Sequence, residues 1–256
     1  MLILISPAKT LDFETPSVAS KHSQPTMLDD SETLINILST KPPLDLEKMM
    51  GISAKLAELN SERYHQWSRP FNKKNAKQAV LAFKGDVYTG LDAEEFSSEN
   101  FAYAQEHLRI LSGLYGVIRP LDLIQPYRLE MGTKLETPRG KNLYEFWGDS
   151  ITKKLNSQLK KIGSKTILNL ASNEYFKSVN VKSLDAQVVT PVFKDWKNDK
   201  YKIISFFAKK ARGSMSAWVL CNQISSLSKL ETFDHDGYRY SVDQSTPDKP
   251  VFLRKL

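Results

Sequence analysis

One cysteine, Cys221, stands in 256 residues. A disulfide framework needs pairs and a four-cysteine zinc site needs four, so both are excluded, and the count fits a reducing compartment. Histidine is nearly as scarce. His22, His65, His107 and His235 are scattered, without HExxH or any paired spacing, and read as surface or core-edge residues rather than metal ligands. No metal or other cofactor is expected. GxxxxGK[ST], GxGxxG and GxSxG are all missing, which removes the common phosphate cradles and the esterase elbow. No run approaches the ~18 apolar residues of a membrane span. The apolar stretch after Met1 stops at Ser6-Pro7, short of the about 7–15 residues of a secretory signal. Leu2–Ile5 is therefore predicted as a first strand, and the expectation is a cytoplasmic protein with no membrane partner.

What is present is ordinary in proportion but uneven in charge. Apolar residues make up 41% and charged residues 25%, which supports a folded core without staples. The formal charge is +7, yet residues 153–212 alone carry +10 and the remainder sums to −3. Such a block suggests a surface facing polyanions, against the alternative of separately solvated faces. There is no internal repeat, and the Pro/Ser stretches at 17–26 and 245–250 are too short to be linkers, so a single domain over 1–256 is expected. Nothing in the sequence sets an oligomeric state.

Strands are predicted at Leu2–Ile5, Val80–Phe83, Thr166–Leu170, Gln187–Phe193, Lys202–Phe207, Tyr238–Val242 and Val251–Leu253. Helices are predicted at Asp29–Leu38, Leu44–Met50, Ala54–Trp67, Asn100–His107, Asp149–Lys160 and Lys209–Ile224. The elements mix without a βαβ rhythm, which reads as a compact α+β fold with a mixed sheet and surrounding helices.

Within 44–67, the run Leu44–Leu59 resembles a helix-hairpin-helix motif, apolar-x-x-apolar-x-Gly-apolar-Gly-x-x-x-Ala. Leu46 and Met49 take the apolar positions, followed by Met50, Gly51, Ile52, Ser53 and Ala57. Gly51 permits the turn, Ile52 anchors it, and the second helix aims free N–H groups and Lys55 at a phosphate. Ser53 replaces the second glycine and offers an N-cap instead. A plain helical hairpin with a glycine stop and a serine cap is the alternative.

Three further stretches carry chemistry. In Tyr127-Arg128-Leu129-Glu130, strand alternation places Arg128 and Glu130 on one face beside an aromatic, suited to a structural pair or to holding a base or sugar. Lys209, Lys210 and Arg212 follow a predicted strand and oppose the dipole of the coming helix, an arrangement an anion relieves. Cys221, within Trp218–Cys221, reads as a buried small hydrophobe. It has no basic neighbour and no resolving cysteine, which argues against thiol peroxidase chemistry.

Several segments together resemble the YaaA-type peroxide-stress protein family: Ile3–Asp12, Ala82–Gly90, Leu111–Gly132, Leu143–Gly148, Asn169–Phe176 and Ile203–Gly213. The resemblance implies a cytosolic protein of the peroxide response, a single α+β fold with a basic cleft and a helix-hairpin-helix, and binding to duplex or branched DNA. Lys9, Lys84, Arg128, Lys209, Lys210 and Arg212 lie in matching segments and are the cleft candidates, with no catalytic role attached. The leading expectation is a DNA-binding protein without sequence preference that limits oxidative damage. One alternative is an enzyme acting on a nucleotide or damaged base, with Lys9, Arg128, Glu130 and Lys209 converging. Another is a protein that lowers free iron.

Overall fold

A computed structural model describes residues 1–255. The central sheet has five strands in the spatial order Gly116–Ile118, Leu108–Ser112, Leu2–Ile5, Thr166–Asn169, Gln187–Val189. Leu2–Ile5 lies in the middle and runs parallel to both neighbours, while Gly116–Ile118 returns antiparallel to Leu108–Ser112. The sheet is mixed, as the α+β reading requires. Every side chain of Leu2–Ile5 is fully buried, the pattern of a strand covered on both faces and the reason its sequence is a continuous apolar run.

A second sheet of four strands occupies the C-terminal part, in the order Tyr201–Lys202, Val192–Trp196, Val251–Arg254, Arg239–Tyr240. Its core is aromatic, built on Phe193, Phe233, Tyr238 and Phe252. Arg254 is buried there. Its Nε donates to Asp195 Oδ1 at 2.7 Å, its guanidinium lies 4.4 Å from the ring centroids of both Phe207 and Tyr238, and Tyr238 donates to the same carboxylate.

The hairpin forms. Helix Pro43–Met50 starts on proline, stops at Gly51 in the left-handed region (φ 60°, ψ 44°), and is followed by helix Ala54–Gln66. Ser53 is extended (φ −70°, ψ 157°) and its hydroxyl accepts from Leu56 N–H. The second glycine of the motif is therefore dispensable, because that position needs no positive φ. The geometry is a helical hairpin with a glycine stop and a serine cap.

Several sequence readings need correction, among them Gln187–Phe193, which divides between Gln187–Val189 of the first sheet and Val192–Trp196 of the second. Lys202–Phe207 is not a strand: the strand ends at Lys202 and a helix runs Ser205–Cys221, whose inward residues Ala208, Ala211, Met215 and Val219 fall at helical spacing. Lys209, Lys210 and Arg212 thus sit inside the helix, and the argument from its N-terminal dipole falls. Val80–Phe83 is mostly a buried helical turn, Ala79–Ala82, with a two-residue strand after it. Cys221 is the last residue of its helix and is exposed, since the stripe that faces inward there is Val219 and Leu220. Leu108–Ser112 is a central strand that the sequence reading passed over.

Candidate functional site

Adjacent parallel strands Leu2–Ile5 and Thr166–Asn169 end side by side, which is where ligands bind in parallel sheets. The chain leaves them at Ser6 and, two residues past Leu170, at Ser172. Ser172 N–H donates to Ser6 Oγ at 2.8 Å, joining the two exits. A concave cleft of ≈ 450 Å³ opens above them.

Each wall follows from local chemistry. The segment Tyr127–Glu130 forms no strand; Tyr127 and Leu129 are buried, Arg128 and Glu130 are half-buried and paired to each other, and all four line the cleft. It crosses the end of Leu108–Ser112 at Gly113, where a Cβ would lie 2.2 Å from Leu129 O, so only glycine admits the crossing. The opposite wall is the turn of helix carrying Lys209 and Arg212, spaced three apart on one face. That helix packs on helix Asp86–Leu91 backbone to backbone. A Cβ on Gly213 would meet Val87 O at 1.8 Å, and one on Gly90 would meet Lys210 O at 2.1 Å. The floor holds Tyr88, Tyr127 and Tyr175, whose phenols burial keeps protonated. Tyr88 donates to Ser6 O at 3.0 Å.

The charges are unevenly matched. Glu130 accepts from Lys9 at 2.8 Å and from Arg128 Nη2 at 3.2 Å. Lys84 is held by Glu94 and, at 3.7 Å, by Asp12. Glu174 accepts from Gly132 N–H at 2.9 Å. Lys209 and Arg212 have no carboxylate partner among the described residues. Arg212 is partly buried, and desolvation alone lowers its pKa, with no counter-charge opposing it. Arg128 Nε is buried without a hydrogen-bond partner. Five cations thus line the cleft beside three carboxylates, Asp86, Glu130 and Glu174, and the unmatched positive charge, at Lys209 and Arg212, is where an anionic ligand fits.

A wider depression, ≈ 730 Å³, lies alongside, between residues 13–20 and 73–78. Two of its three lysines are taken up by backbone carbonyls, Lys73 by Ser20 O and Lys77 by Thr15 O, which leaves Lys74. Chemistry rather than size singles out the cleft.

Of the sequence-derived candidates, Lys9, Lys84, Arg128, Lys209 and Arg212 all line the cleft, together with Glu130. Lys210 does not; it turns to Asp236 at 3.4 Å. Met50, Gly51, Ile52, Ser53 and Lys55 are not among the lining residues. Met50 and Ile52 pack inward, and Lys55 is exposed. The hairpin is nevertheless joined to the cleft, since the buried Tyr64 hydroxyl of its second helix donates to Arg128 O. Ser6, Asp86, Ser172 and Glu174 escaped the sequence reading; Ser6 and Ser172 were signalled by their place just beyond the apolar runs LILI and TILNLA.

With this geometry in hand, comparison with known proteins is direct. A family described as "Peroxide stress protein YaaA" matches residues 1–244. The chain belongs to the YaaA peroxide stress protein family. Relatives include a "UPF0246 protein" of Teredinibacter turnerae and another of Saccharophagus degradans, each 58% identical over 255 residues and covering all of both chains. A third, from Aliivibrio fischeri, is 56% identical and matched over 98% of its length. Among the described residues of this YaaA-family chain, no three His, Cys, Asp or Glu side chains are placed to hold a metal ion, and no helix is long and apolar enough to cross a membrane. The iron-lowering alternative has no ligand set there.

Proposed function

We propose that this peroxide stress protein binds DNA, duplex or branched, through its phosphates and without sequence preference, and that the cleft receives a phosphate-bearing unit of the strand. The observation that carries the reading is the pair Lys209 and Arg212, set on one helix face in the cleft without counter-charge. Exposed Lys55 on the hairpin is a further phosphate contact in this proposal. Contacts of this kind read backbone, not bases.

The enzyme alternative, action on a nucleotide or damaged base, is favoured by a separate observation. Glu130 is held between Lys9 and Arg128 in a concave site rather than along an open groove. Binding measured across a salt series separates the readings. Each neutralised phosphate contributes about −0.9 to the slope of log K against log salt. A steep slope on unrelated sequences supports DNA binding. A slope near zero, or no binding at low salt, removes it, and product formation from damaged oligonucleotides that Glu130→Gln abolishes establishes the alternative.

A further inference from the structure

A second concentration of positive charge lies where strand Leu108–Ser112 and its neighbour Gly116–Ile118 meet the helix Ser150–Lys161. Arg109 sits in a depression of ≈ 200 Å³ there, with Arg119, Lys154, Ser157 and Thr26 around it. None of these residues lines the cleft.

Arg109 is only 7% exposed. Its Nη1 donates to Gln105 O at 2.9 Å and Leu108 O at 2.7 Å. Its Nε and Nη2 have no protein acceptor among the described residues and are not sealed as the orphaned nitrogens of Arg128 and Arg254 are, and Arg109 lines the depression. Both nearby carboxylates are already engaged. Asp122 holds Arg119 at 2.8 Å and accepts from the Ser23 hydroxyl at 2.7 Å and from Arg119 N–H at 2.8 Å. Glu106 holds Lys161 at 2.7 Å and accepts from Gln158 at 3.2 Å. Desolvation brings the Arg109 pKa down to about 10, with Arg119 adding to the fall and Asp122 and Glu106 opposing it. Lys154, exposed on the facing helix, has no ion-pair partner among the described residues.

A buried guanidinium satisfied on one nitrogen only is unfavourable until an acceptor completes it. We propose that this depression binds a small oxyanion of the phosphate or sulfate class, held in bidentate fashion by Nε and Nη2 of Arg109 and by Lys154. The volume takes one such ion with a few waters, at about 30 Å³ each. It is too small for a nucleotide, which selects the free ion over a phosphate within a nucleic-acid strand.

Thermal unfolding in inorganic phosphate, against chloride at matched ionic strength, tests this. The proteins compared are the wild type, a Lys209→Ala/Arg212→Ala double variant that disables the cleft, Lys154→Glu and Arg109→Gln. Phosphate at about ten times its dissociation constant should raise the melting temperature by roughly 3–5 °C in the wild type and in the cleft variant. Lys154→Glu, an exposed position that keeps the fold, should lose the shift, and it decides alone if Arg109→Gln fails to fold. No shift in the wild type, or the same shift in Lys154→Glu, overturns the proposal. So does stabilisation by an oligonucleotide without stabilisation by phosphate. A shift lost only in the cleft variant places the ion in the cleft, overturning this site while leaving the proposed function standing.

Discussion

The C-terminal sheet and the cleft each take an arginine out of water, and they treat it in opposite ways. Arg254 is given a carboxylate at 2.7 Å, two aromatic faces and a backbone carbonyl. Arg212 is given neither carboxylate nor ring among the described residues, and burial alone acts on it. Charge that the protein pairs with its own carboxylate is architecture, even where one nitrogen, Arg254 Nη2, is sealed without an acceptor. Charge left incomplete at the ends of parallel strands is an opening for a ligand, and this contrast distinguishes two arginines that the sequence presents as equals.

Breaking the architectural side should have the largest effect. Asp195→Ala leaves Arg254 buried without counter-charge, and we expect a loss of about 3–5 kcal/mol in unfolding free energy by urea titration. A loss below about 1 kcal/mol would erase the contrast. Next is the contact that holds the cleft wall. Gly213→Ala puts a methyl 1.8 Å from Val87 O, so the two helices must separate. We expect roughly 1–3 kcal/mol of destabilisation together with weaker DNA binding; unchanged binding would show that the placement of Lys209 and Arg212 is immaterial.

The ligand side is sharpened by paired variants. Arg212→Ala should stay within about 0.5 kcal/mol of wild-type stability, because no internal partner is orphaned. It should bind DNA more weakly on every sequence, with a salt slope smaller by about one unit. Lys55→Ala should do the same from the hairpin. If it changes nothing while Arg212→Ala loses affinity, the hairpin is scaffold and binding belongs to the cleft. The smallest effect is expected at Cys221→Ser. The thiol is exposed, but the surrounding protein raises its pKa, and no second cysteine exists to resolve an oxidised form. Peroxide survival of cells carrying the variant should match wild type, and a loss would restore a thiol mechanism.

The elements with strong local signatures were legible: the buried run Leu2–Ile5, the capped hairpin, and the alternation that turns Arg128 and Glu130 to one side. Leu108–Ser112 was not, because LRILS, directly after a helix and interrupted by Arg109, has no clear period of its own and becomes a strand by pairing with Leu2–Ile5 and Gly116–Ile118. Charge density misled in a related way. The +10 block spreads over separate elements, where Lys161 pairs with Glu106 and Lys210 with Asp236, and only Lys209 and Arg212 of its cations reach the cleft. Sequence proximity measures charge along the chain, whereas a ligand meets charge across it.

The Tyr64 hydroxyl, bound to the carbonyl of Arg128, fixes how hairpin and cleft relate. Burial pushes the Tyr64 phenol far above its usual range, so it stays a donor at every pH a cell experiences. The joint is thus a rivet rather than a latch. A displacement of the hairpin is passed to the peptide bearing Arg128 through a donor that does not titrate over that range.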